Sequence, residues 1–162
     1  MNDRALADLA RRLGDRLMAR GWMAATAESC TGGWIAKTLT DVAGSSGWFD
    51  RGFVSYTNAA KQELLGVDGA TLATHGAVSE ATVRAMASGA LARSAAQVAV
   101  AVSGIAGPTG GTADKPVGTV WLAWARRDGV TDTRHRRFDG DREAVRRQTV
   151  AEAIQGLERL VD

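Results

Sequence analysis

The chain has almost no metal-binding or redox chemistry to offer. Of its 162 residues one is a cysteine and two are histidines. One cysteine forms no intrachain disulfide, which fits a reducing cytosol. Two isolated histidines and one thiol make no ligand cluster, so neither metal nor cofactor is expected. The longest apolar runs fall far short of a bilayer span, so no membrane partner is expected. The amino terminus, Met1-Asn2-Asp3-Arg4, opens an amphipathic helix rather than a signal peptide. A charge excess is also missing, since the formal net charge is +2. That argues against nucleic acid as a partner, although Arg126 to Arg147 contains eight arginines. Part of that group reads as a solvated strand and helix face. The remainder is available to an anionic ligand.

What is present describes one ordinary domain over residues 1–162. Apolar residues make up 45% and charged residues 23%, enough for a full core and close to globular averages. Leu6, Leu9, Leu13 and Leu17 recur at helical spacing over residues 4–20, and Gly21 ends that helix. Residues 22–27 read as a strand, 31–42 as a helix and the end of 48–56 as a strand. Thr57 or Asn58 caps a short helix ending near Gly66. Asp68 caps a turn stopped by Gly76, and Ser79 caps a helix to about Arg93. Gln97–Ser103 and Val117–Arg126 are buried strands. Thr131–Phe138 alternates like an edge strand, joined to its predecessor by a hairpin through Arg127-Asp128-Gly129. A last helix runs from Asp139-Gly140-Asp141 to about Leu160. The expected fold is α/β, three layers, with a mixed and mostly parallel sheet between helices.

Three segments carry the chemistry. Thr26-Ala27-Glu28-Ser29-Cys30-Thr31-Gly32-Gly33 puts a hydroxyl and a thiol where a strand turns into a helix, a place whose N–H groups stabilise negative charge. Tyr56-Thr57-Asn58-Ala59-Ala60-Lys61 supplies a lysine. Ser103-Gly104-Ile105-Ala106-Gly107-Pro108-Thr109-Gly110-Gly111 is a glycine-rich loop suited to a small anion, with neither the dinucleotide nor the P-loop spacing.

Each feature also has a plain structural reading. Ser29 is a nucleophile or a helix N-cap. The G-x-S-x-G elbow is absent, because Ala27 and Thr31 flank Ser29. A nucleophilic hydroxyl needs a base. His75 reads as a helix terminator and His135 as a solvated edge residue, which leaves Lys61. Burial or nearby positive charge would have to lower the lysine pKa. Tyr56 orients that lysine, relays a proton or simply packs. Cys30 is a rival nucleophile or a small core residue. Arg142 and Arg146 share a helix face and read as phosphate ligands or as partners of Asp139, Asp141 and Glu143. Five tryptophans exceed what one small core needs, which suggests a homodimer contact.

Read together, T-A-E-S-C-T-G-G, G-S-S-x-W-F-x-R-G-F-V-S-Y-T-N-x-A-K, H-G-A-V-S-E, S-G-I-A-G-P-x-G-G, K-P-V-G-T-V-W and G-D-R-x-x-V-R-R resemble the CinA carboxy-terminal domain family from about residue 4 to 160. The resemblance implies a cytoplasmic amidohydrolase of pyridine-nucleotide salvage, deamidating nicotinamide mononucleotide by a serine–lysine mechanism. Carried onto this chain it makes Ser29 the nucleophile and Lys61 the base, with Tyr56 assisting. Backbone around Cys30, Thr31, Gly32 and Gly33 then stabilises the oxyanion. Ser103, Gly104, Gly107 and Gly110, with Arg142 and Arg146, contact the substrate. Longer family members carry a further amino-terminal domain, which this chain is too short to include. A silent nucleotide-sensing or partner-binding module is the alternative on the same fold, and a nucleic-acid binder using the arginines is a third.

Overall fold

A computed structural model describes all 162 residues. Helix α1 (Asp3–Arg20) is capped by the Asn2 side chain at Ala5 N and closed by Gly21 in the left-handed region, φ 65°. Strand β1 (Ala24–Glu28) is buried along its whole length. Helix α2 (Trp34–Thr40), β2 (Phe49–Val54), α3 (Asn58–Leu65), α4 (Gly69–His75), α5 (Glu80–Ala92) and β3 (Val98–Gly104) follow. A hairpin of β4 (Thr119–Arg126) and β5 (Thr131–Arg137) leads to α6 (Arg142–Val161).

The sheet order is β2-β1-β3-β4-β5. Strand β1 runs parallel to β2 and β3, while the β3–β4 and β4–β5 pairs are antiparallel. Four of the five strands therefore point one way and β4 alone opposes them, the mixed and mostly parallel sheet expected. Side-chain alternation divides the core in two. Ala24, Val98, Val100 and Val102 face α1, α2 and α6, together with Trp48 and Trp124. Ala25, Ala27, Ala99 and Ala101 face α5, with Leu65 of α3 and Leu72 of α4.

Close approach is built from small residues on both faces. A Cβ on Gly156 of α6 would lie 2.0 Å from the Trp124 ring, whose Nε1 donates to Ala153 O. A Cβ on Gly89 of α5 would lie 2.0 Å from Leu65 O. Two of the five tryptophans that suggested a dimer are taken up by the core of this fold. Trp48 and Trp124 are buried, and Trp22, Trp34 and Trp121 are half-buried. No helix is long and apolar enough to cross a membrane.

The connection from β1 to β2 passes over one face through α2. The connection from β2 to β3 returns over the other through α3, α4 and α5. A crevice opens at such a reversal, beyond the carboxyl ends of β1 and β3. The three chemistry-bearing segments leave the sheet there.

Candidate active site

Ser29 continues β1 by one residue, its N–H donating to Val102 O at 3.1 Å. Extending the β1–β3 register past Glu28↔Val102 sets Ser29 opposite Ser103, on the face that carries α5. The next residues curl into a turn, with Gly32 N–H donating to Ser29 O at 3.0 Å. Gly32 and Gly33 take φ of 59° and 102°, which only glycine adopts without strain. The N–H groups of Cys30, Thr31 and Gly33 take part in no backbone or capping hydrogen bond.

Lys61 meets Ser29 from the α3 side. Thr57 caps α3 by accepting from Ala60 N, which settles the alternative between Thr57 and Asn58. Lys61 is only 1% exposed. Its Nζ lies 3.0 Å from Ser29 Oγ, 3.0 Å from Ser55 O and 3.2 Å from Tyr56 O. Those two carbonyls are fixed because Ser55 N donates to Glu28 O at 2.8 Å, tying the end of β2 to β1. No carboxylate pairs with this amine, and burial holds its pKa below the ordinary 10.5. A neutral amine suits the geometry. In that form two N–H bonds would serve the two carbonyls and the lone pair would be left for the serine hydroxyl.

Several expected roles change. Ser29 is not the helix cap. Gly33 holds that position with no side-chain bond, and the buried Glu28 carboxylate takes over the work. It accepts from Thr31 Oγ1 at 2.5 Å and from Ile35 N and Ala36 N at 2.9 Å each. The Thr31 hydroxyl is thus spent beneath the turn and does not face a ligand. Cys30 lies in the core, 5% exposed, and burial followed by the Glu28 charge pushes its thiol up to about 12. A thiol that stays protonated inside the core is no nucleophile, so only the Cys30 backbone remains for the site. The Tyr56 phenol does not reach Lys61. Its hydroxyl accepts from Arg142 Nη2 at 3.0 Å, and Tyr56 orients the lysine through its carbonyl instead.

The glycine-rich loop has two parts. Gly104 is a packing residue, since a Cβ there would meet Val120 Cγ2 at 2.6 Å and Thr119 O at 2.9 Å. Beyond it the N–H groups of Ala106, Gly107, Thr109, Gly110 and Gly111 enter no hydrogen bond within the chain. Gly107, Gly110 and Gly111 have positive φ, a conformation that turns successive N–H groups into an anion-binding concavity. Arg142 donates to Gly107 O at 2.8 Å, so its guanidinium spans from this loop to Tyr56. Arg146, four residues on, lies behind the Ser29 turn and donates to Cys30 O and Thr31 O at 3.0 Å each. Five of the other six arginines of the cluster are bonded within the chain, Arg127 to Ala96 O and Leu91 O. Arg134 and Arg136 meet Glu152, Arg126 meets Asp128, and Arg147 meets Asp3 and Glu143. His75 ends α4, and His135 is exposed on β5 against Trp121.

Sequence reasoning missed Glu28 and Ser55. The only signal for Glu28 was a carboxylate ending a strand with no polar position of its own. Ser55 contributes through its backbone, which leaves no signal in the side chain.

Fold and site together define a class: α/β proteins with a buried serine–lysine contact at the sheet reversal and an N–H-rich loop beside it. The chain belongs to the CinA C-terminal domain family, whose description matches residues 6–161. It is 57% identical over 157 residues to the nicotinamide-nucleotide amidohydrolase PncC of Escherichia coli (strain K12), covering 97% of this chain and 95% of that protein. It is 56% identical to the enzyme of the same name from Pseudomonas putida, over 92% of each chain. The crystal structure of the competence/damage inducible protein CihA from Agrobacterium tumefaciens superposes with a TM-score of 0.96 at 50% identity. That match covers 100% of this chain and 98% of the other.

Proposed function

We propose that this chain hydrolyses the carboxamide of nicotinamide mononucleotide to nicotinate mononucleotide and ammonia, with Ser29 as nucleophile and Lys61 as base. The observation that carries the mechanism is the 3.0 Å contact between Lys61 Nζ and Ser29 Oγ in a site with no competing carboxylate. The substrate follows from the names of relatives more than half identical over nearly the whole chain.

The Ser29 proton passes to Lys61 Nζ as Oγ bonds to the carboxamide carbon. The carbonyl oxygen becomes an oxyanion, and the free N–H groups of the Cys30–Gly33 turn are its donors. The C–N bond then breaks, the Lys61 ammonium returns its proton to the departing nitrogen, and ammonia leaves. Lys61 next deprotonates a water that attacks the ester on Ser29, releasing the nicotinate carboxylate and restoring the serine. The 5′-phosphate is assigned to the N–H groups of residues 106–111 and to Arg142, whose guanidinium lies at the rim of the crevice. Ser103, opposite Ser29 in the register, borders the acyl group.

The test is ammonia release from nicotinamide mononucleotide by the unmodified chain and by Ser29→Ala. Turnover by the first and none by the second, with nicotinate mononucleotide still bound, is the expected result. Turnover surviving Ser29→Ala would displace the serine. Absence of turnover in the unmodified chain would replace the enzyme with a nucleotide-sensing module.

A further inference from the structure

We propose that Arg146 is a positioning residue for oxyanion stabilisation and takes no part in binding the phosphate. The inference rests on the amidohydrolase reading above and deepens it. Arg146 Nε and Nη2 form a fork on two consecutive carbonyls, Cys30 O and Thr31 O, at 3.0 Å each. In a trans peptide the C=O and the following N–H point in opposite directions. Holding Cys30 O toward α6 therefore turns the Thr31 N–H away from α6, toward the face where Ser29 meets Lys61. The Thr31–Gly32 peptide is fixed in the same sense. Its carbonyl faces Arg146, and its N–H closes the turn onto Ser29 O at 3.0 Å.

This leaves the Cys30 and Thr31 N–H groups as the unpaired donors flanking Ser29; Arg146 sets the direction of the Thr31 N–H from behind, while the Cys30 N–H shares its peptide with Ser29 O, which the Gly32 N–H holds. The guanidinium has little freedom to do anything else. It is half-buried, lies 5.6 Å from the Trp34 ring centroid, and sits within 3.3 Å of where a Gly32 Cβ would be. Glu28 holds the turn from within through Thr31 Oγ1 and the first turn of α2. The turn is thus gripped by a cation on its carbonyls and a carboxylate on its hydroxyl. Two arginines one helical turn apart have separate tasks: Arg142 meets the glycine-rich loop, and Arg146 meets the nucleophile turn.

The experiment compares nicotinamide mononucleotide with nicotinamide riboside, which has no phosphate, in the unmodified chain, Arg146→Ala and Arg146→Lys. A positioning role lowers kcat for both substrates by the same factor with KM nearly unchanged. The expected loss is about 10- to 100-fold, below the roughly 10²–10³-fold of deleting an oxyanion donor, because the donor is misaligned rather than removed. Added guanidinium ion restores part of the Arg146→Ala activity. Arg146→Lys keeps the charge, loses the fork, and falls by a similar factor; it also decides the matter if Arg146→Ala does not fold. A KM rise confined to the phosphorylated substrate would overturn the proposal in favour of phosphate binding. Values of kcat within about twofold of the unmodified chain would overturn it outright. Turnover by the unmodified chain is the internal control, and its absence removes the amidohydrolase reading together with this one.

Discussion

Replacing Lys61 with methionine separates its chemical role from its structural one. The substitution keeps the length of the buried side chain and removes the amine. Losing a positioned general base costs about 10²–10⁴-fold in kcat, or about 3–5 kcal/mol of barrier. Folding responds through two effects with different pH dependence. Ser55 O and Tyr56 O lose their Nζ donor, which costs about 1–3 kcal/mol for a buried carbonyl at any pH. The ionisation effect has the opposite sign. Burial lowers the folded pKa of Lys61 below 10.5. Between that pKa and 10.5 the unfolded chain binds more protons than the native one, so the lysine protein gains stability as pH rises through this window. Below it the buried ammonium is at its most costly, by about 1.4 kcal/mol for each unit of lowering. The stability of Lys61→Met relative to the unmodified chain is therefore greatest on the acid side and declines as pH climbs toward 10.5. Urea denaturation of both proteins from about pH 6 to about pH 10 measures this difference directly. The pH profile of kcat/KM should show an acid limb below 10.5 that the variant lacks. A stability difference that stays flat or grows with pH would refute the argument, as would a kcat within about threefold of normal.

Two further substitutions probe the surroundings. Cys30→Ala should retain turnover within a few-fold and lose about 1–2 kcal/mol of stability, since the thiol is buried and stays protonated; steady-state kinetics showing near-complete inactivation would contradict this. Gly89→Ala should cost about 1–3 kcal/mol or more by overpacking against Leu65 O, and should lower kcat in the molecules that remain folded, because α3 carries both Leu65 and Lys61; thermal denaturation with parallel kinetics would detect an unperturbed variant.

Much of the fold was legible because the signals are local. The leucine spacing of α1, the apolar run of β3 and the caps at Thr57, Ser79 and Asp141 all rest on neighbours within a few residues. The contact of Ser29 with Lys61 was legible at one remove, from two strands leaving the same sheet edge and from the family resemblance. What escaped is chemistry between a side chain and distant backbone. Glu28 finds its partners on N–H groups seven and eight residues ahead. Arg146 finds carbonyls more than a hundred residues back. Every residue has a carbonyl and nearly every residue an N–H, so such a partner leaves no mark in the sequence. Helical spacing correctly put Arg142 and Arg146 on one face. It could not show that the nucleophile turn and the glycine-rich loop meet that face at different points.

The proposed role of Lys61 as base depends on how two buried ionisable residues, Glu28 at the end of β1 and Lys61 of α3, are kept apart. Glu28 and Lys61 are 0% and 1% exposed, yet they do not pair. Glu28 alternates toward α2, where N–H groups and a hydroxyl receive it. Ser29 turns to the opposite face, where Lys61 is received by carbonyls. Had the carboxylate faced the amine, its charge would hold the ammonium form and cancel the effect of burial. Strand alternation keeps the two on opposite faces, and backbone dipoles replace the ion pair on each side. Carbonyl groups stabilise an ammonium less than a carboxylate does, so the amine stays buried while its proton remains removable. On this reasoning, moving a carboxylate to the lysine face, as in Ser103→Asp, would raise the Lys61 pKa and shift the acid limb of kcat/KM upward. A limb left in place would mean that the alternation of charge about β1 is incidental to the reaction.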